Sequence, residues 1–196
     1  MEPIMEALLR RQSTKATTLV EPAPSDAELE PVFATAVRAP DHGAIRPYRF
    51  RTIRGSAREE LGAVFAEGLK RRKPDATQED LTALAAKPLR SPLIIAVMAK
   101  VMPDHPKVPP VEQVITAGMA AQNILLALEA LGYGAVFLSG APTLDPHVKR
   151  AFGLEDKDTL LGFLYVGTPS EERREKKRPD ASAFVAAWEP PATVDA

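Results

Sequence analysis

Residues 11–15 carry side chains suited to binding an anion. They read RQSTK, so Arg11, Ser13 and Lys15 alternate along the segment. In an extended backbone alternate residues point the same way, and two positive charges and a hydroxyl would then converge on one phosphate-like group. The alternative is a solvated basic end of the preceding helix, where arginine complements the helix dipole. The residues alone leave both interpretations open.

A second cluster of polar groups reads RAPDH at 38–42. Arg38 and His42 flank a proline turn, which brings a cation and an imidazole to one corner of the chain. The structural alternative, an arginine that ends a helix beside an ordinary loop histidine, is favoured when the segment is considered alone. The other histidines, His105 and His147, lie far away in proline-marked polar segments, so no metal site is expected.

Other catalytic signatures are missing from the sequence. The 196 residues contain no Cys, which excludes disulfides, thiolate metal sites, iron–sulfur clusters and a cysteine nucleophile. The glycine-rich phosphate-binding loops and the G-x-S-x-G elbow are also absent. With 25 Lys+Arg against 26 Asp+Glu, the charge gives no reason to expect nucleic-acid binding. If the chain is an enzyme, a bound cofactor must supply its chemistry.

The hydropathy pattern predicts an α+β domain with a small mixed or antiparallel sheet wrapped by helices. Capping boxes at 25–28 and 56–59 begin two amphipathic helices, and Asp145-Pro146 begins another. The apolar run 92–99 predicts a central strand. Further strands are predicted at 48–53, 135–139 and 159–167.

A long helix is predicted over 111–131. It is apolar almost all round, so it must be covered on every side, either by the core or by a second subunit. Its charge-free stretch of 16 residues, 113–128, is shorter than the about 20 that a membrane span needs. Met1 to Leu9 lacks a secretory pattern, and a cytoplasmic location is expected.

The end of the chain differs in composition from the rest. Residues 1–170 are predicted to form a single domain, and 171–196 a charged extension with an apolar patch at 184–188. This extension is too short to fold alone. We therefore expect it to dock on the body or on a partner subunit.

Four motifs together, in this order, resemble the nitroreductase family of FMN-dependent oxidoreductases, in its short subgroup of NAD(P)H nitroreductases. They are RRQSTK at 10–15, EPAPS…RAPDHGAIRPYRF at 21–50, the apolar strand with VPPVEQ…G at 92–118, and ALGYGAVFLSGA…FLYVGTP at 130–169. The resemblance covers about residues 4–170. It implies a nitroreductase-like fold with a long central helix.

The resemblance also implies a homodimer with two FMN sites at the subunit interface, each built from both chains. By position, the FMN phosphate and ribityl chain would contact Arg11 and Ser13, with Gln12 and Lys15 beside them. Further flavin contacts would come from Arg38, His42, Phe137, Leu138 and Ser139. Contacts to NAD(P)H would come from Ala127, Leu128, Glu129, Ala130, Leu131 and Gly132.

The activity implied by the resemblance is ping-pong hydride transfer through flavin N5, from NAD(P)H to a nitro compound, a quinone or a similar acceptor. No side chain is required as an obligatory acid or base, and no catalytic residue is predicted. Larger members often have Asn and Gln-Pro-Trp where this chain has Ala44 and Arg46-Pro47-Tyr48. That difference motivates an alternative, an FMN-binding carrier without reductase turnover. A helical interaction domain without a cofactor is a third possibility.

Replacing Arg11 tests the phosphate assignment. Arg11→Ala is expected to weaken FMN binding more than it alters the rate of flavin reduction, because a charge-assisted phosphate contact is lost. The loss is roughly 1.5–3 kcal/mol, about tenfold to a hundredfold in the dissociation constant. Fluorescence titration measures it, and wild-type FMN affinity in Arg11→Ala would show that the assignment is wrong.

Overall fold

The computed structural model describes residues 2–172 and 176–190, and it contains a five-stranded antiparallel sheet with helices on both faces. The strands are β1 (Leu19–Val20), β2 (Tyr48–Arg54), β3 (Leu93–Ala99), β4 (Gly134–Leu138) and β5 (Thr159–Pro169). β5 pairs with β1, β3 and β4, and β2 pairs with β3 at the edge. The predicted α+β class and antiparallel sheet are confirmed.

The helices form a layer on each face of this sheet. In the described ranges they are α1 (Pro3–Arg10), α2 (Asp26–Ala36), α3 (Ala57–Arg72), α4 (Gln78–Ala85), α5 (Pro110–Ala130), α6 (Ala141–Leu144) and α7 (Pro146–Ala151). α2 and α5 pack on one face, and α3, α4 and α7 pack on the other. Each layer closes a separate hydrophobic core, so the sheet is buried from both sides.

β3 is the predicted central strand, and its side chains enter both cores. Ile95 and Val97 pack towards α2 and α5, whereas Ile94 and Met98 pack towards α3 and α7. These four side chains are at most 1% exposed. Burying each contributes roughly 1.5–3 kcal/mol, so this strand anchors the fold.

Two of the three predicted helix starts are confirmed. At α2 the amide of Glu28 donates to Ser25 Oγ at 3.3 Å, and the amide of Ser25 donates to Glu28 Oε2 at 2.8 Å, which completes a capping box. At α7 the Asp145 carboxylate accepts the amide of His147 at 2.8 Å. Both caps satisfy backbone donors that the first helical turn leaves free.

The capping box predicted at 56–59 is wrong. Ser56 already has helical dihedral angles, its side chain makes no capping bond, and its carbonyl accepts the amide of Glu59 at 2.9 Å. The preceding Gly55 has a φ of +52°, which turns the chain from β2 directly into α3. The helix therefore begins without a side-chain cap.

α5 is the predicted long helix, with 21 residues, but the rest of the described chain does not cover it on every side. Ala117 and Ile124 are fully buried against the sheet, whereas Val111 and Ile115 are 62% and 52% exposed. By length and composition alone α5 could cross a membrane, a test that the core helix of a soluble protein also passes. Its outer face remains apolar and open.

The C-terminal extension touches the body in part. Lys176 and Arg178 reach the segment after α1, whereas Phe184 and Trp188 are 75% and 82% exposed. Residues 173–175 and 191–196 of the extension lie outside the described residues. The boundary near 170 and the docking of the apolar patch stay predictions.

A buried carboxylate joins the end of β3 to the start of β5. Asp158 has a fully buried side chain, and it accepts Lys100 Nζ at 2.5 Å, the amide of Val101 at 3.0 Å and the amide of Glu155 at 2.9 Å. Burial alone raises the pKa of Asp158, but these three donors outweigh it and hold the pKa below the ordinary value of 3.8. The folded state therefore favours the ionised carboxylate.

Replacing this carboxylate is expected to reduce stability in a pH-dependent way. Asp158→Asn loses charge-assisted hydrogen bonds, and we expect a loss of about 1.5–3 kcal/mol in the free energy of unfolding at neutral pH. Because the folded pKa is depressed, that contribution is complete above the unfolded pKa near 3.8 and disappears as the pH falls through the folded value.

Urea unfolding at several pH values measures this effect. Glu155→Gln is the matched control, because its exposed carboxylate lies 3.9 Å from the same Lys100 Nζ and contributes little. Equal destabilisation of the two variants, or a difference from wild type that persists unchanged at the lowest pH, would contradict the assignment.

Candidate functional site

A basic cavity of about 670 Å³ lies where the ends of α1, α5 and β5 meet the C-terminal segment. Its charged lining consists of Arg10, Lys176, Arg178 and Glu129. Gln12, one of the predicted site residues, also lines it. Three cations against one carboxylate make the cavity positive, which favours an anionic ligand.

The predicted anion-binding segment 11–15 follows α1 and lies against β4. The amide of Thr14 donates to the carbonyl of Ala135 at 3.0 Å, and Thr14 is buried. Gly134 permits this close approach, because a Cβ there would lie 2.9 Å from Thr14 Oγ1. With Thr14 buried, Ser13 is half-buried and Lys15 is exposed, whereas Arg11 and Gln12 are both half-buried. Burial therefore alternates from Ser13 onwards but not at Arg11 and Gln12, and a shared outer face for Arg11, Ser13 and Lys15 stays a prediction.

Two further cations reach this segment from the C-terminal extension. Lys176 Nζ donates to the carbonyl of Ser13 at 3.2 Å, and Arg178 Nη2 donates to the carbonyl of Arg11 at 2.8 Å. Sequence reasoning missed them as site residues and treated them as part of a charged extension. The dense basic run before Pro179 was the available signal, but only the fold shows what it touches.

A second, smaller cavity of about 120 Å³ lies at the far end of β4. It is lined by the predicted residues Leu138 and Ser139, together with Lys87 and Arg90 from a short turn before β3. Tyr165 also lines it, and burial raises the pKa of that phenol while the charge of Arg90 opposes the rise. Lys87 and Arg90 were also missed from the sequence.

The turns near the two cavities contact each other. The chain continues from Lys15 into a turn at Ala16–Thr18, which contacts the turn at Lys87–Arg90. The cations of the two cavities and of the segment 11–15 are Arg10, Arg11, Lys15, Lys87, Arg90, Lys176 and Arg178.

Phe137 does not share the cavity of its neighbours. Side chains alternate along β4, so Phe137 packs towards the core under α5 while Leu138 faces α3. A Cβ at Gly162 of β5 would lie 2.6 Å from Phe137 Cζ, which shows how tightly the ring is held.

The segment 127–132 has mixed surroundings. Leu128 is fully buried in the core, whereas Glu129 and Gly132 line the basic cavity. The following Tyr133 donates its hydroxyl to Glu28 Oε1 at 2.9 Å, and burial, together with this carboxylate, raises the pKa of Tyr133. The segment therefore borders the basic cavity, but Leu128 has a packing role.

Arg38 and His42 lie at the opposite end of α5. His42 Nδ1 is 2.8 Å from Glu112 Oε2, in the first turn of this helix, whereas Glu129 borders the basic cavity near its last turn. With a rise of about 1.5 Å per residue, positions 112 and 129 are about 25 Å apart. The structure therefore does not bring His42 to Arg11 within one chain.

The loop that carries His42 has an unusual backbone. Ala44 and Arg46 have φ values of +51° and +52°, a conformation that non-glycine residues rarely adopt. The Asp41 carboxylate holds the loop by accepting the amides of Ile45 at 3.2 Å and Arg46 at 2.7 Å. Such strain persists only where surrounding contacts fix it, and it is frequent at functional sites.

Comparison with known proteins places these features in a family context. The model of the Nitroreductase family matches residues 8–168. The "Putative NAD(P)H nitroreductase YdjA" of Escherichia coli K12 is 39% identical over 182 residues, which cover 92% of this chain and 97% of that protein.

Solved structures share the fold at lower identity. A nitroreductase-like family protein from Bacillus cereus aligns with a TM-score of 0.79 at 21% identity, over 97% of this chain and 98% of that one. A "putative nitroreductase in complex with FMN" from Desulfovibrio desulfuricans aligns with a TM-score of 0.70 at 23% identity, over 97% and 99% of the two chains. These likenesses support the same architecture.

Proposed function

The chain belongs to the nitroreductase family of oxidoreductases, and from this premise we propose that it binds FMN and uses NAD(P)H to reduce small-molecule acceptors. The observation that carries the proposal is the basic cavity of about 670 Å³ after α1, where three cations face one carboxylate. Its charge suits the FMN phosphate. The cavity of about 120 Å³ at the end of β4 is too small to enclose the flavin ring, so the ring would lie at its mouth.

The phosphate end has a donor set that fits FMN. Arg11, Ser13 and Lys15 alternate along an extended segment, and Lys176 and Arg178 add charge from the C-terminal extension. Cationic and hydroxyl donors of this kind are what a phosphomonoester requires. Gln12, Lys176 and Arg178 line the basic cavity, where the Gln12 amide can bond to the ribityl hydroxyls. Arg11 lies next to this cavity, beside Gln12 and Glu129.

The ring end supplies positive charge beside Leu138 and Ser139. Lys87 and Arg90 line that cavity, and there they would stabilise negative charge that develops at the N1–C2 oxygen region. Bound FMN supplies the redox chemistry, a ping-pong hydride transfer through N5 from NAD(P)H to a nitro compound, a quinone or a similar acceptor. The protein's part is to bind, orient and stabilise. Phe137 packs on the other face of β4, in the core under α5.

A homodimer is part of this proposal. His42 lies beside Glu112, about 25 Å along α5 from Glu129 at the basic cavity. We therefore propose that His42, with Arg38 of the same loop, contacts an FMN bound by a second copy. The outer face of α5 exposes Val111 and Ile115, which suits burial against another chain. Each site would then take Arg11 and its neighbours from one subunit, and Arg38 and His42 from the other.

The segment 127–132 is our proposal for part of the NAD(P)H contact. Glu129 and Gly132 border the basic cavity, so they would touch the part of the dinucleotide that extends past the FMN phosphate. Leu128 would support this surface from the core without touching the ligand. A cytoplasmic location suits this chemistry, because NAD(P)H is generated there.

The visible spectrum of the desalted protein, before and after NADPH or NADH is added without oxygen, tests the function. We expect an oxidised-flavin band that bleaches on addition of the nicotinamide and returns with an acceptor. A band that does not bleach would instead favour a flavin carrier. A colourless protein that fails to take up added FMN would overturn the proposal.

Mixed dimers test whether each site uses two chains. Arg11→Ala and His42→Gln, carrying different affinity tags, are co-expressed and the heterodimer is isolated. We expect it to bind FMN tightly at one site, because one of its two sites combines an intact Arg11 with an intact His42. If each site lay within one chain, both subunits would keep a defect and fluorescence titration would find no tight site.

A further inference from the structure

Glu112 makes a contact that the proposed function does not use. Its Oε2 lies 2.8 Å from His42 Nδ1, and both side chains remain about half exposed in the single chain. An ionised carboxylate only accepts hydrogen bonds, so Nδ1 must carry the hydrogen and Nε2 is the nitrogen left for a ligand. We propose that Glu112 is a positioning residue, which orients His42 towards the flavin of the second subunit and fixes the ring hydrogen at Nδ1. This inference rests on the proposed function.

The path of the loop does not depend on Glu112. Thr116 Oγ1 donates to the carbonyl of Pro40 at 3.1 Å, and Asp41 binds the amides of Ile45 and Arg46. These contacts fix the backbone on both sides of His42. The contact from Glu112 therefore acts on the imidazole alone, by fixing the direction of the ring.

The neighbouring loop is fixed independently. Gln113 is buried, and its side-chain amide donates to the carbonyls of Met102 and Val108 at 2.8 and 3.0 Å. Val108 Cγ2 lies 3.4 Å from the position of a Cβ on Gly43, so this loop supports the turn that carries His42. Two consecutive residues of α5 therefore make different contacts: Gln113 binds the supporting loop, and Glu112 binds the imidazole of His42.

The orientation of the ring decides which nitrogen of His42 reaches the composite site. With Nδ1 held by Glu112, Nε2 is the atom that can bond to FMN. The titratable and charged groups around this corner are Glu112 from α5, His105 from the neighbouring loop, and Arg38, Asp41 and Arg46 from the segment of His42 itself. Asp41 is engaged by backbone amides, so Glu112 is the carboxylate that acts directly on the ring.

Glu112→Ala tests the inference, because alanine leaves Nδ1 without its acceptor. Glu112→Gln is the conservative variant, since glutamine can still accept from Nδ1. Glu60→Ala is the matched control: it removes the same side chain from the first turn of a helix, at an exposed position of α3 away from the site. The readouts are the position of the His42 ring hydrogen, from the ring nitrogen chemical shifts by NMR, and the FMN dissociation constant.

In Glu112→Ala we expect the ring hydrogen of His42 to be no longer held at Nδ1. We expect the FMN dissociation constant to rise by about threefold to tenfold, because the hydrogen bond that orients the ring is lost. Glu112→Gln should keep the hydrogen at Nδ1 and recover most of the FMN affinity. Glu60→Ala should match wild type in both readouts.

The inference fails if the position of the His42 ring hydrogen or the FMN affinity is unchanged in Glu112→Ala, or if Glu60→Ala has the same effects as Glu112→Ala. It also fails if His42→Gln leaves FMN binding unchanged while wild type is yellow and bleaches, and the proposed function would then stand without it. A wild-type protein that binds no FMN would instead overturn the proposed function itself.

Discussion

The pairing of β3 and β4 with opposite edges of β5 is the constraint on which the rest of the structure depends. β4 can approach β5 closely because Gly162 has no side chain, and a Cβ there would lie 2.7 Å from the carbonyl oxygen of Leu138. Gly167 of β5 permits an equally close approach of β1, because a Cβ on Gly167 would lie 2.9 Å from the carbonyl oxygen of Val20. These approaches set the places of Leu138 and Ser139 at one end, and of the segment after α1 at the other.

α5, which packs on this sheet, separates two sets of polar residues. Its first turns hold the loops around His42 and its last turn borders the basic cavity, so one straight helix keeps two sets of polar residues about 25 Å apart. Within one copy, this helix holds the two sets apart. In the proposed homodimer, antiparallel contact along α5 would let each copy complete the FMN site of the other. Symmetric dimers of this kind are the commonest oligomers.

Features with local causes were predictable from the sequence. The capping box at 25–28 and the Asp145 cap depend on residues that are at most three positions apart. An uninterrupted apolar run predicts β3. The box at 56–59 failed because the backbone turn at Gly55, not the Ser56 side chain, begins α3.

Long-range features were not predictable in the same way. Lys176 reaches Ser13 across 163 positions, and nothing in the local composition around either residue indicates that contact. Lys87 and Arg90 meet Ser139 only because β3, β5 and β4 are adjacent in the sheet. The motifs that carry the family resemblance contain residues that line the two cavities. Phe137 and Leu128 pack in the core instead, so a matched segment contains packing residues as well as residues that can touch a ligand.

The edge of the sheet has a consequence for how the protein behaves in crowded solution. Within the described residues β2 pairs with β3 alone, so the outer edge of β2 could pair with a strand of another molecule. Arg49 and Arg51 project from this edge on the exposed face, while Phe50 stacks with Phe33 at 5.5 Å on the other. Two like molecules that approached edge to edge would bring rows of guanidinium groups together, and that repulsion discourages runaway sheet growth and aggregation.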